Sequence, residues 1–431
     1  MPPPDSGDLL IRNGRLLDPA SRLDAIADLL IQGGQVRRAG RDLPLPRGCP
    51  ALEADGLVVT PGFIDSHVHL REPGFEHKET IATGAAAAAA GGICAVAAMP
   101  NTDPPPDSAQ RVADLYRRAQ SAAVRVYPIA CITAGRAGRE LAPLEELAQA
   151  GAVAFSDDGD PVGDEGLMRQ ALELARRLGR PLFPHEEVKA LTAGGCMHQG
   201  EISARLGVKG MPAAGEEQMI ARDIELVRRS GGPLHIAHIS TEGAIELVRL
   251  ARAEGLPVTC EVLPHHFLLT DEEVEQQGTL AKMSPPLRAA RDVQAALRGL
   301  ADGTIDTIAT DHAPHTEEEK RLPLEKAPFG IVGLETAVGL TLMHLVATGV
   351  LELSQAVEKW TWAPARILRL PGGHLCPGAP GDVTILDLEK EWVVDARQFR
   401  SKSRNTPFAG WRLRGKAVAT IVGGKIVYSE M

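Results

Sequence analysis

The stretch PGFIDSHVHLREPG, Pro61 to Gly74, is an apolar run that closes on His67-x-His69 and is followed by Arg71. Side chains alternate faces along an extended strand, so residues two apart point the same way. His67 and His69 therefore project together from the end of a buried strand. They are placed either to share a metal ion or to stand as two satisfied structural histidines, and the pair alone does not choose between these readings.

The chain downstream makes the choice. From Pro61 onward, short apolar runs alternate with amphipathic segments, the pattern of strand-then-helix units around a parallel sheet. GFIDSHV, ICAVAAM, VRVYPIAC, AVAFS, RPLFPH, PLHIAHI, LPVTCEV and TIDTIAT read as eight strands. Between them, segments such as EGLMRQALELARRLG and TEGAIELVRLARAEG repeat apolar residues at helical spacing and end on glycine. Eight such units over roughly 300 residues predict a (β/α)8 TIM-like barrel, a fold that builds its sites at the carboxyl ends of its strands. Asp157-Asp158 follow the fourth run, His185 ends the fifth, His238 the sixth and Asp311 the eighth. Five strand ends thus offer imidazole or carboxylate, donors suited to Zn²⁺ and similar divalent ions. The six cysteines are scattered without a C-x-x-C and offer no rival thiolate site; they read as free, mostly buried thiols.

Working outward, residues 1–60 and 371–431 read as short strands punctuated by Gly, Asn-Gly and Gly-Gly turns. Neither flank is long enough for a comfortable core. The economical arrangement is a barrel over 61–370 with a small β-sandwich domain formed by both chain ends. A net charge of -10 argues against nucleic acid or an anionic membrane as partner and favours a small-molecule substrate. The opening MPPPDSGD lacks the basic and apolar regions of a signal peptide, and a cytoplasmic protein is expected. IATGAAAAAAGGICAVAAMP is apolar enough to raise a membrane span. Gly91-Gly92 interrupts it, so a helix stopping at the glycine pair and then a short buried strand is the reading adopted.

PGFIDSHVHLREPG, MPNTDPPPD, FSDDG, GLPVTCEVLPHHFLLT, ATDHAPH and EKAPFGIVGLET together resemble the bacterial class I dihydroorotases of the amidohydrolase superfamily, and NTPFAGWRLRG extends the resemblance into the C-terminal flank. It implies a metal-dependent hydrolase barrel that interconverts N-carbamoyl-L-aspartate and L-dihydroorotate in pyrimidine biosynthesis. It also implies two zinc ions per chain: His67, His69 and Asp311 around one, His185 and His238 on the other, and a bridging carboxylate. Related hydantoinases bridge with a carboxylated lysine; no lysine stands at the fourth strand end here. Spacing back from His185 favours Asp158 as the bridge over Asp157, which would then hydrogen-bond backbone or ligand.

By the same resemblance Asp311 is the proton shuttle. Arg71, Asn101, Ser284, His315, Phe329 and Gly330, with His69, contact substrate, Arg71 and Asn101 through its carboxylate. Away from this motif Arg71 would read as a surface arginine paired with Glu72 or Glu76. Ser284 stands where the family often has asparagine, and HEEV replaces the usual His-Cys-Glu-Asp. His265 and His266 match no ligand and are expected to be hydrogen-bonded structural residues. The charged stretch TEEEKRLPLE is either a lid or a solvated loop. Alternatives are another cyclic amidase (hydantoinase or allantoinase) or an inactive scaffold for aspartate carbamoyltransferase. A homodimer, or association of the active enzyme with that transferase, is compatible with the resemblance.

Overall fold

The computed structural model describes residues 7–431. Eight parallel segments close into a barrel. Phe63–Val68, Ile93–Ala98, Arg125–Ala130 and Ala154–Phe155 pair in sequence order, and Leu234–Ile236, Val258–Val262 and Thr307–Ile308 form the opposite arc. The fifth strand is reduced to a bridge at Leu182, which pairs with Phe155 on one side and Leu234 on the other. A parallel bridge between Val68 and His312 closes the ring and sets the end of the first strand beside that of the eighth.

Phe63–Val68 and Ile93–Ala98 are buried along their whole length, as parallel sheets covered by helices require. The helices are placed by the local signals legible in the sequence. Glu165–Leu178 starts on Asp164, whose carboxylate accepts from the Leu167 N–H at 2.8 Å, and stops at Gly179 with φ of 63°. It buries Met168, Ala171, Leu172 and Ala175, one face at helical spacing. The alanine-rich stretch is a helix, Ile81–Ala90, capped at Gly91 and followed by the buried strand Ile93–Ala98. Among the described residues no helix is long and apolar enough to cross a membrane. All six cysteines are free, and only Cys376 is exposed.

The chain ends meet in one eight-stranded sheet. Val58–Pro61 pairs antiparallel with the start of Val383–Val393, joining Val383 to Pro61 and Leu386 to Val58. Leu9, Ile11, Leu29 and Ile31 from one end share a hydrophobic core with Val383, Ile385 and Ile421 from the other. This explains why neither flank could be read as a domain by itself: each supplies half of one core.

One feature was not legible in the sequence. Between the fifth and sixth barrel strands the chain makes an excursion through a short helix, Lys189–Thr192, and a small strand pair, Met197–His198 with Gly210–Met211, before reaching the outer helix Ala214–Ser230. The segment from Lys189 to Gly195 forms a wall of the cavity at the strand ends.

Candidate metal centre and substrate cavity

At the carboxyl ends of the barrel strands, four imidazoles surround two carboxylates, all buried. His69 Nε2 lies 2.8 Å from Asp311 Oδ1 and 3.5 Å from Asp158 Oδ2. His67 Nε2 lies 3.5 Å from Asp311 and 3.8 Å from Asp158. On the far side, His238 Nε2 is 3.3 Å and His185 Nδ1 3.6 Å from Asp158 Oδ1, and the two rings approach to 3.1 Å. Asp158 thus reaches all four histidines. Two donors on one tetrahedral ion with bonds of about 2.1 Å stand roughly 3.4 Å apart, so these spacings suit shared divalent metal.

Electrostatics supports the same reading. Burial opposes ionisation of Asp158, yet His185, His238, His67 and His69 hold its carboxyl well below the usual range. Burial likewise opposes the charged form of His67, but Asp311, Glu261 and Asp158 outweigh it and push its pKa up to about 10. The His67 Nε2 atom nevertheless has no hydrogen-bond partner, nor do His69 Nδ1 and His238 Nδ1. Carboxylates held ionised around an imidazole nitrogen without a partner call for positive charge in the centre, and the donor set fits a divalent ion.

The neighbouring residues aim these side chains. Glu261 Oε1 lies 2.7 Å from His67 Nδ1, leaving Nε2 to face the centre; Ser66 Oγ and His235 Nε2 hold the other Glu261 oxygen at 2.7 and 3.3 Å. Glu187 lies 3.0 Å from His185 Nε2 and is itself held by Lys189 and Thr192. Such carboxylate–histidine pairs fix tautomer and ring orientation at metal sites. Asp65 accepts from Thr310 Oγ1 at 2.6 Å and from the His67 N–H at 3.2 Å, tying the first strand end to the eighth. Neither Glu261 nor Asp65 was singled out from the sequence, although each lies inside a quoted motif; their role depends on cross-strand register. Arg71, His238 and Asp311 have positive φ of 59°, 36° and 44°, an uncommon conformation for residues with a Cβ, retained where surrounding structure imposes it.

Asp157 points away from the cluster. Its carboxylate accepts from the Ile132 N–H at 2.9 Å and from the Thr133 N–H and hydroxyl, so it serves the backbone. Of the two adjacent aspartates, Asp158 is the one among the histidines.

Beside the cluster lies a cavity of about 440 Å³ whose lining includes Arg71, Asn101, Ser284, His315 and Phe329. The Arg71 guanidinium donates to the Pro314 carbonyl at 3.3 Å and meets His315 Nε2 at 3.4 Å; among the described residues no carboxylate is within ion-pair distance of it. Glu72 pairs instead with Arg118, and Glu76 accepts from Gly74 N–H. Burial brings the Arg71 pKa down to about 10, so it stays charged at neutral pH. Asn101 spends one N–H on the Asp158 carbonyl at 2.7 Å, while its own oxygen has no partner. Burial, then Arg71 and Lys78, hold His315 neutral, its pKa far below the ordinary value.

Two expectations need correction. Gly330 does not line the cavity: its N–H donates to the Lys282 carbonyl and its carbonyl accepts from Asn405, so Pro328 and Phe329 form this part of the wall. His266 is hydrogen-bonded to the Pro285 carbonyl at 3.0 Å as expected of a structural histidine, but the Nε2 of buried His265 has no partner. Asn405, from NTPFAGW, was missed as a residue: it links the C-terminal flank to the His315 N–H and to the Ala313 and Gly330 carbonyls.

A sequence profile described as Dihydro-orotase-like matches residues 56–244, and one described as Amidohydrolase family matches 327–428. The dihydroorotase of Citrifermentans bemidjiense is 52% identical over 98% of this chain and 99% of its own. That of Pelotomaculum thermopropionicum is 53% identical over the same shares. The chain belongs to the dihydroorotase family. Among solved structures, the L-hydantoinase (dihydropyrimidinase) of Arthrobacter aurescens superposes with a TM-score of 0.88 at 27% identity, covering 98% of this chain and 96% of that one. A D-hydantoinase from Thermus sp. gives 0.86 at 26%, covering 98% and 95%. The dihydroorotase family and the hydantoinases thus share one architecture, a metal-dependent hydrolase barrel carrying a β-sheet domain.

Proposed function

We propose that the protein catalyses the reversible cyclisation of N-carbamoyl-L-aspartate to L-dihydroorotate, with the cavity beside the histidine–aspartate cluster as its active site. The observation that carries this reading is Arg71: a charged guanidinium with no carboxylate partner, facing the same cavity as the metal-binding set. An anionic cyclic amide supplies what that pairing lacks.

His67, His69 and Asp311 would hold one zinc ion and His185 and His238 a second, with Asp158 between them; bound there, the ions supply Lewis-acid polarisation of the ring amide carbonyl and make water acidic enough to react near neutral pH. The protein's own groups do the rest. Arg71 grips the substrate carboxylate through its planar fork, and Asn101 supports it with its second N–H. His315, neutral and set against Arg71, accepts or donates one hydrogen bond to the bound ring, and Ser284 offers a hydroxyl from the cavity lining. In ring opening, Asp311 takes a proton from the attacking water and delivers it to the departing ring nitrogen; in closure the same carboxyl starts protonated and the steps reverse.

The test is direct. The metal-loaded protein should open dihydroorotate and leave hydantoin and allantoin largely untouched. Chelation should abolish the activity and zinc restore it. Turnover of hydantoin in preference to dihydroorotate would replace this reading with that of a hydantoinase, and full activity in a verified metal-free preparation would remove the metal from it.

A further inference from the structure

Two lysines lie buried behind the cavity wall. Lys282 is 2% and Lys320 5% exposed, and among the described residues neither ammonium has a carboxylate within ion-pair distance. Burying an ammonium without a counter-charge is expensive, so its remaining partners need an account. Those partners are nearly all carbonyls of one irregular segment. Lys282 Nζ donates to the Leu324 carbonyl at 2.5 Å and to that of Ala327 at 2.6 Å. Lys320 Nζ donates to the Pro328 carbonyl at 3.0 Å and to that of Lys282 at 3.4 Å. The Lys282 carbonyl also takes the Gly330 N–H at 3.0 Å. Lys282 Nζ further stands over the Phe329 ring, 4.4 Å from its centroid, a cation–π contact.

The segment so held starts at the Thr316-capped helix Glu317–Lys320 and ends at the cavity. Pro328 and Phe329 line it, and so do Met283 and Ser284, next along the chain from Lys282. The two lysines therefore join two chain segments that line the cavity, through backbone carbonyls that have no ladder to pair with. Burial, and then the proximity of Lys282, bring the Lys320 pKa down to about 7, which lightens the cost of enclosing it.

We propose that Lys282 and Lys320 are positioning residues of the enzyme, a staple that holds Pro328 and Phe329 in the shape that receives the substrate ring. They touch no reacting atom, and their effect passes through the wall. The inference rests on the dihydroorotase reading of the cavity, and the two fail separately: no ring opening by the wild type defeats that reading, whereas the comparison below concerns only the staple.

In the metal-loaded enzyme, Lys320→Met and Lys282→Met should raise KM for dihydroorotate by on the order of tenfold while kcat changes less than threefold. Metal content should be unchanged, and proteolytic cleavage between residues 317 and 327 should become faster. A role confined to stability would lower Tm and leave KM alone, and that result in either folded variant overturns the proposal. Hydrogen exchange on the wild type covers the case in which the variants do not fold. The Lys326, Ala327 and Gly330 amides, which donate to the Pro323 and Lys282 carbonyls, should be protected before substrate is added, and exchange at unprotected rates in the free enzyme would equally overturn it.

Discussion

In the proposed reaction Arg71 and Asp311 divide the work at the level of single residues, and their substitutions should fail differently. Arg71→Met keeps much of the aliphatic stem and removes, among the described residues lining the cavity, the only cation without a carboxylate partner. KM should rise and kcat/KM should fall by on the order of a hundredfold, since a bound carboxylate loses its charged donor. Metal content, measured by atomic absorption, should stay constant because Arg71 is not among the clustered donors. Asp311→Asn retains size but cannot carry a proton. Opening and closure should drop together by on the order of a thousandfold in protein shown to retain its metal. A metal-replete Asn variant with near-normal rates would move the shuttle to another group, with His315 the first to examine. Both tests follow from positions at strand ends, where a shift of one residue would turn the side chain away from the cavity.

Secondary-structure elements matter here through where they stop. The alanine-rich helix is capped at Gly91, and the loop after the eighth strand passes close against that position. A Cβ at Gly91 would lie 1.9 Å from the Leu334 carbonyl oxygen, which is backbone and cannot swing aside. Gly91→Ala should therefore destabilise the protein by about 2 kcal/mol or more, read as a lowered Tm in the metal-loaded state. The strand Ile93–Ala98 leads from this turn to Asn101, so the same change should also raise KM modestly. The charged stretch that follows Asp311 is ordered by its own elements. Its first turn is capped by Thr316, and its later part is packed down over Lys282.

Across the whole molecule, the C-terminal flank reaches the loops behind the cavity as well as its own sheet. Asn405 lies more than ninety residues along the chain from Asp311, yet it accepts from the His315 N–H at 3.1 Å and donates to the Ala313 and Gly330 carbonyls at 2.9 and 3.0 Å. Asn405→Ala leaves three buried backbone groups without this partner. It should cost about 2–4 kcal/mol of stability and raise KM by letting His315 shift. Calorimetry together with steady-state kinetics would show both effects; a loss of stability with unchanged KM would separate the flank from the site.

The amino-acid sequence by itself determined the barrel, because eight apolar runs alternating with helical periodicity leave few other ways to bury both faces of a parallel sheet. It also determined which residue types gather at the strand ends, since each such residue terminates its own run: His67, His69, Asp158, His185, His238 and Asp311 are all clustered. Tertiary structure decided what depends on register and on distant partners. Whether Asp157 or Asp158 faces the histidines turns on one residue of strand register, and Thr133 supplies the donors that draw Asp157 aside. The roles of Glu261, Asn405 and the paired lysines were invisible for a related reason. Each is a common polar residue in an unremarkable local pattern, and its meaning comes from a partner brought near only when the ring closes and the chain ends meet.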